Sequence, residues 1–219
     1  MPTDGPTTRR AGLSRERVLD AARTLIERDG AGALTMRRLG REVGVEAMSL
    51  YNHVSNRDAV LDGLGEFLMS EVDAEPGADW RESCRDFAAQ LRAIALTHPA
   101  TFSLVGLRPL RSAAALAPVE RLLQNLVAAG AAPDQALAMY RTLASFARGY
   151  AMAEVTGFTV DASTPSGRRP LRALPRADFP ILRERLKELE PLRSDAAFTA
   201  GLDAMLDGFA GGSMRGAST

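Results

Sequence analysis

The chain has 219 residues, 46% hydrophobic and 25% charged, which is enough apolar material for one or two buried cores. Its 27 Lys plus Arg balance its 27 Asp plus Glu, so affinity for nucleic acid or membrane has to come from local placement of charge. Cys84 is the single cysteine, which excludes an intrachain disulfide and a cysteine metal cluster and fits a reducing cytoplasm.

Met1 to Leu13 reads as a disordered arm. It lacks the apolar core of a signal peptide, and no later run is long enough to span a bilayer. Helical periodicity dominates from there on, and β alternation is absent. SRERVLDAARTLIERDG predicts a first helix with Ser14 as N-cap, Val18, Ala22, Leu25 and Ile26 on one face, and a stop at Gly30. TMRRLGREVG predicts a second helix from Thr35, stopping at Gly44. A third runs from about Glu46 to His53. A fourth is capped by Ser55 with Asp58 three residues on, carries Val60, Leu61, Leu64, Phe67 and Leu68, and extends to about Val72.

DAEPGAD marks a boundary. Asp79 and Glu82 then form a capping-box pattern before a helix with Trp80, Cys84, Phe87, Leu91 and Ile94 on its buried face, ending near His98 because Pro99 follows. A short turn of helix is expected around Phe102 to Gly106. The next helix enters near Pro118 or slightly earlier, shows Val119, Leu122, Leu123 and Leu126, and ends at Gly130. Pro133 opens a long helix to about Gly157 with Leu137, Tyr140, Leu143, Ala144 and Ala147 inward. Residues 159–178 read as a Pro-, Ser- and Arg-rich loop. Two helices close the chain, one with Phe179, Leu182, Leu186 and Leu189, the other with Phe198, Leu202, Met205 and Phe209.

The expected fold is therefore all-α, with about nine to ten helices. The expected layout is an arm (1–13), a three-helix domain of helix-turn-helix form (14–58), a connecting helix (about 56–72), a second helical domain (73–210) and a flexible tail (211–219). The second and third helices, joined tightly at Gly44, have helix-turn-helix grammar. Gly40 is small where the two must approach, and Gly44 permits a turn that a Cβ opposes. The third helix is short because a few turns suffice to lie in a major groove.

These residues carry a resemblance. Thr35, Arg37, Leu39, Gly40, Gly44-Val45, Leu50-Tyr51, His53-Val54 and Asn56-Arg57 resemble the DNA-binding signature of the tetracycline-repressor (TetR) family of transcriptional regulators. The likeness covers residues 14 to about 70, with Asn52 standing where the tetracycline-repressor branch often has an aromatic residue. It implies DNA-binding roles for Thr35, Arg37, Ala47, Met48, Ser49, Tyr51, His53 and Arg57. Arg37 is placed to reach a guanine edge, Ala47 and Met48 a thymine methyl, and Ser49 a base or a phosphate. Tyr51, His53, Arg57 and Thr35 are placed on phosphates. Residues 35–57 hold four Arg against two acids, a modest local excess, so affinity has to come from placement and from dimerisation.

One helix-turn-helix reads about half a palindrome, and the resemblance implies a homodimer built from the long helix and the last helix. Candidate interface residues are Ala144, Ala147, Ala151, Phe198, Leu202, Met205 and Phe209, the alternative being that this stripe packs within its own subunit. The resemblance also implies an effector pocket. Phe87, Leu91, Ile94, His98, Phe102, Leu122, Leu126, Tyr140, Leu143 and Phe146 are its candidate lining, with Arg108 beside Pro109 as a further polar group, and the effector is expected to be largely apolar. No cofactor, metal or membrane partner is expected. Against an enzyme stand the two separated histidines, His53 and His98, and the lack of a Gly-rich phosphate loop or a Glu-x-x-His pair. The competing reading is a helical small-molecule-binding or adaptor protein without specific DNA binding.

Overall fold

A computed structural model of the chain describes residues 13–73, 79–157, 165–185 and 195–212. The described residues hold eleven α-helices and no strand. The chain divides into two units, the first ending at Leu64 and the second beginning at Gly65, inside the fourth helix.

In the first unit, α1 (Arg15–Asp29) starts where Ser14 Oγ accepts the Arg17 N–H at 3.2 Å. It stops at Gly30, whose φ of +82° suits a residue without a Cβ. A single 3₁₀ turn, Ala31–Ala33, leads to α2 (Met36–Val43), which Thr35 caps through Oγ1 accepting the Arg38 N–H at 3.2 Å. Gly44 takes the left-handed conformation (φ +75°, ψ +31°) and turns the chain into α3. α3 is one turn, Ala47–Leu50, shorter than the expected run to His53. The N–H groups of His53 and Val54 both donate to the Leu50 carbonyl (2.9 and 3.0 Å), closing the chain into a turn.

α4 (Arg57–Ser70) is capped by Asn56, whose Oδ1 accepts the Ala59 N–H at 2.8 Å, so the expected cap shifts one residue on from Ser55. Its first half closes the unit. Gly63 is small there because a Cβ would stand 2.8 Å from Leu19 Cδ2. Val18, Ile26, Leu39, Leu50 and Leu64 are fully buried around this contact.

The second unit holds the rest of α4 with α5 (Trp80–Thr97), α6 (Pro99–Val105), α7 (Ala113–Ala128), α8 (Pro133–Thr156), α9 (Pro165–Ala173), α10 (Pro180–Glu184) and α11 (Asp195–Gly212). α8 is its spine, and α5, α6, α7 and α11 all pack on it. Asp79 Oδ1 caps α5 by accepting the Glu82 N–H at 2.9 Å. Pro99 ends α5 and opens α6, where its missing donor costs nothing. Cys84 is a small core residue; burial pushes its thiol up to about 12, which leaves it protonated and inert.

Several expectations are corrected. α7 begins at Ala113, because Ser112 Oγ accepts the Ala115 N–H (3.3 Å); Pro118 then lies inside the helix, buried, at the cost of one backbone bond. Leu137 is exposed, and Ala136 and Met139 face the core instead. Trp80 and Phe67 are half-buried, and Met69, not expected on the apolar face of α4, is buried. The segment read as a loop contains α9. The arm, the 74–78 boundary, residues 158–164, Leu186, Leu189 and the tail from 213 lie outside the described residues.

A buried ion pair ties three helices of this unit. Arg92 on α5 donates from Nε and Nη2 to the two carboxylate oxygens of Glu154 on α8 (2.7 and 2.9 Å) and from Nη1 to Asp195 on α11 (2.7 Å). The Glu154 side chain is completely buried, and its hydrogen bonds hold the Arg92 proton more firmly than usual. The guanidinium also lies 5.0 Å from the Phe198 ring centroid.

Candidate functional site

The first unit presents a short helix on a rigid pair. A Cβ added at Gly40 would lie 2.9 Å from the Val45 carbonyl oxygen and 3.1 Å from the Ala47 nitrogen. Both are backbone atoms, so α2 can hold the start of α3 at this distance only through a glycine. Leu50, fully buried, anchors α3 from beneath. What remains outward is Met48, 75% exposed, and Tyr51, 46% exposed, with Ser49 and His53 half-buried beside them. Ala47 is half-buried, its backbone being the surface on which Gly40 rests.

Arg37 is exposed on α2. Its neighbour Arg38 is committed elsewhere, donating to Asp29 at 2.5 Å. Arg28 completes that network with a two-pronged pair to Glu42 (2.9 and 3.0 Å) and contacts to Asp29 (both 3.1 Å), fastening α1 to α2. Its hydrogen bonds hold the Glu42 and Asp29 carboxyls below the usual carboxylate range. Arg57 donates from Nε to the Leu34 carbonyl at 3.0 Å, so its guanidinium is positioned by the loop before α2. The Thr35 hydroxyl is the α2 cap. The structure thus brings the eight sequence-selected residues onto the α2–α3 pair and the start of α4, and two of them, Thr35 and Arg57, also do structural work.

The second unit contains a half-open cleft with about 320 Å³ of empty space, much of it open to solvent. Leu68, Met69, Leu91, Ile94, Phe102 and Val105 supply apolar wall, Gly65 and Gly106 leave room, and Arg108 and Arg148 supply charge. Leu91, Ile94 and Phe102, with the further candidate Arg108, are the sequence-selected residues that reach it. Leu122, Leu126 and Leu143 are packed into the core, and so is Phe87, which meets the Tyr140 ring edge-on with centroids 6.1 Å apart. Phe146 stacks on Phe198 (5.5 Å) in an aromatic group with Tyr150. His98 joins α5 to α6, with Nε2 3.8 Å from Glu71 Oε2. Most residues that periodicity flags as inward are buried, but core and cavity wall share that signature. Arg148 was missed; the signal for it is an arginine on the flank of an otherwise Ala-rich inward stripe.

The small-residue stripe of α8 is also corrected. Ala147 and Ala151 have no exposed surface, and Ala144, Phe198 and Leu202 almost none, so these five pack within the subunit. Met205 and Phe209 are half-buried, while Leu206, not selected from the sequence, is fully buried. The open side of α8 carries Ser145 and Gly149, and that of α11 carries Ala200, Ala204 and Gly208. Among the described residues no group of His, Cys, Asp and Glu is placed to hold a metal, and no helix is long and apolar enough to cross a membrane.

Comparison with known proteins agrees with this arrangement. Residues 18–64 match the model of bacterial regulatory proteins of the tetR family, and residues 73–211 match the tetracyclin repressor-like C-terminal domain. An HTH-type transcriptional regulator of Saccharopolyspora erythraea is 35% identical over 173 residues, 78% of this chain and 73% of that protein. The class D tetracycline repressor of Escherichia coli is 31% identical over 204 residues, 91% of this chain and 90% of that protein. Among solved structures, the Streptomyces coelicolor TetR family protein ActR in complex with (S)-DNPA superposes with a TM-score of 0.78 at 27% identity, covering 93% of this chain and 100% of that one. The two family matches, the two relatives and an outward helix held on a glycine-tight pair converge on one conclusion: the chain belongs to the TetR family and is a DNA-binding transcriptional regulator that responds to a small-molecule effector.

Proposed function

We propose that the protein is a repressor that binds a palindromic operator as a homodimer and is released by a largely apolar effector. The observation that carries the reader half is the solvent-facing side of α3, with Met48 and Tyr51 outward on a helix pair that leaves no slack at Gly40. In this reading Arg37, Ala47, Met48 and Ser49 meet base edges in the major groove, while Thr35, Tyr51, His53 and Arg57 hold the phosphates on either side. Two copies are needed because one such helix reads half a palindrome. The open sides of α8 and α11, with Met205 and Phe209 at their margin, are the surfaces through which we expect them to pair.

The effector site we assign to the cavity lined by Leu91, Ile94 and Phe102. Its support is a mostly apolar wall with few polar groups, and the ActR neighbour is itself known in complex with small molecules. α4 contributes Gly65, Leu68 and Met69 to that wall and runs without a break from the reader residues, so it is the natural lever. Glu66, next on α4, accepts the Arg111 and Ser112 N–H groups (3.2 and 3.1 Å), which couples α4 to the segment ahead of α7. Effector binding would favour a conformation whose two reading helices no longer match the half-sites. No catalytic role is assigned, and we place the protein in the cytoplasm with its DNA.

The test is a gel-shift with the DNA upstream of the gene and its neighbours. We expect a salt-sensitive, sequence-specific complex that Arg37→Ala and Tyr51→Ala weaken without unfolding the protein. If both variants bind specifically as well as the parent does, the adaptor reading replaces this one.

A further inference from the structure

Arg148 is out of place by the ordinary rules of packing. It lies on α8, part-buried, and lines a cavity whose other walls are chiefly Leu, Ile, Met, Phe and Val side chains. Guanidinium groups in such surroundings normally meet a carboxylate, because desolvating the charge is otherwise costly. Elsewhere in this unit the rule is obeyed: Arg92, itself mostly buried, finds Glu154 and Asp195. Among the described residues the partner of Arg148 is the Met69 sulfur, 3.8 Å from Nη2, a weak acceptor with no charge to offer. Glu66, elsewhere on α4, accepts the Arg111 and Ser112 N–H groups.

Arg108 lines the same cavity from the segment after α6. It has contacts of its own, and the inference does not require it to be free. Among the described residues of the lining no side chain is acidic. The wall therefore offers apolar area, a soft thioether and the Arg148 guanidinium together.

Resting on the effector assignment made above, we propose that the cavity selects an apolar molecule bearing one anionic group, a carboxylate, sulfonate or ionised phenol, which ion-pairs with Arg148 while its hydrocarbon body lies against Leu91, Ile94 and Phe102. The planar fork of the guanidinium suits such oxygen pairs. An anion of this kind offers the part-buried guanidinium a charged partner in place of the Met69 sulfur, so it gains from the apolar walls and from the ion pair at once. A neutral analogue gains only the first.

The probes are 8-anilinonaphthalene-1-sulfonate and its uncharged counterpart N-phenyl-1-naphthylamine, titrated by fluorescence into the full-length protein and three variants, with thermal melts to confirm that each is folded. Arg148→Met removes the charge, Arg148→Lys keeps it, and Ile94→Phe fills the cavity. We expect the sulfonate to bind about tenfold or more tightly than the neutral probe, Arg148→Met to erase that preference, and Arg148→Lys to retain most of it. Should the two probes bind equally, both weakened by Ile94→Phe, the cavity remains the effector site and the anion selectivity is overturned. Should Ile94→Phe leave both titrations unchanged, the cavity assignment falls and the inference falls with it. If Arg148→Met does not melt as a folded protein, the comparison of sulfonate with neutral probe in the parent, together with Arg148→Lys, decides the matter.

Discussion

The two units of this protein are built to opposite ends. The reader unit buries Leu39, Leu50 and Val60 so that a few residues can stand outward in a defined geometry, and it fixes that geometry with backbone contact at Gly40. The sensor unit turns its polar chemistry inward: a fully buried Glu154 holds its helices together, and Arg148 waits in a cavity. Where function is an outward surface, local residues specify it. Where function is an internal space, it is whatever the packing of several helices leaves behind.

The sharpest way to break this contrast is at the ion pair. Glu154→Ala leaves Arg92 buried beside Phe198 without its main partner, and we expect a loss of about 3–5 kcal/mol in stability. Urea unfolding followed by Trp80, the single tryptophan and a residue of the sensor unit, would measure it. A loss under about 1 kcal/mol would mean that the pair holds nothing together. Next in size is Gly40→Val. Backbone atoms of Val45 and Ala47 block the new side chain, so about 1–3 kcal/mol of strain is expected, with sequence-specific DNA binding lost. A variant that still forms the specific complex would show that α2 and α3 tolerate separation.

Arg37→Ala and Tyr51→Ala act on the surface alone. Each should weaken the operator complex by about tenfold or more while leaving stability within about 0.5 kcal/mol of the parent. A matching drop in melting temperature would recast either residue as structural.

The smallest effect concerns acid. Asp29 and Glu42 have folded pKa values below their unfolded ones, through hydrogen bonds from Arg28. Their contribution is complete above the unfolded values, near 4, and is lost as pH falls through the folded ones. The gap in melting temperature between the parent and Glu42→Gln should therefore be present at pH 7 and shrink toward zero as the pH drops below about 4. A gap that persists there would point to shape rather than charge at the α1–α2 contact.

Legibility in the sequence follows the same division. The caps at Ser14, Thr35 and Asp79, the stops at Gly30 and Gly44, and the breaks at Pro99 and Pro133 were readable because each depends on a side chain and backbone groups within a few residues. Even locally, Asn56 outcompeted Ser55 for one cap, since both can accept the same class of N–H. The phase of α8 was misread at Leu137, because a helix rich in alanine has a weak periodic signal and its neighbours decide which side is covered. The helix α9 inside an Arg- and Pro-rich stretch carried no apolar periodicity by which to find it.

By itself, the sequence determined that the chain is helical, where most helices start and stop, and that α2 and α3 form a reading pair, because hydrogen bonding, chirality and close approach act over short separations. Only the tertiary structure decided which inward residues are core and which line a cavity, that Ala147 and Ala151 are buried within their own subunit, and that Arg148 lines apolar walls beside the Met69 sulfur. Those outcomes depend on atoms brought together from α4, α5, α6 and α8, and no spacing along the chain records which of many apolar faces will meet.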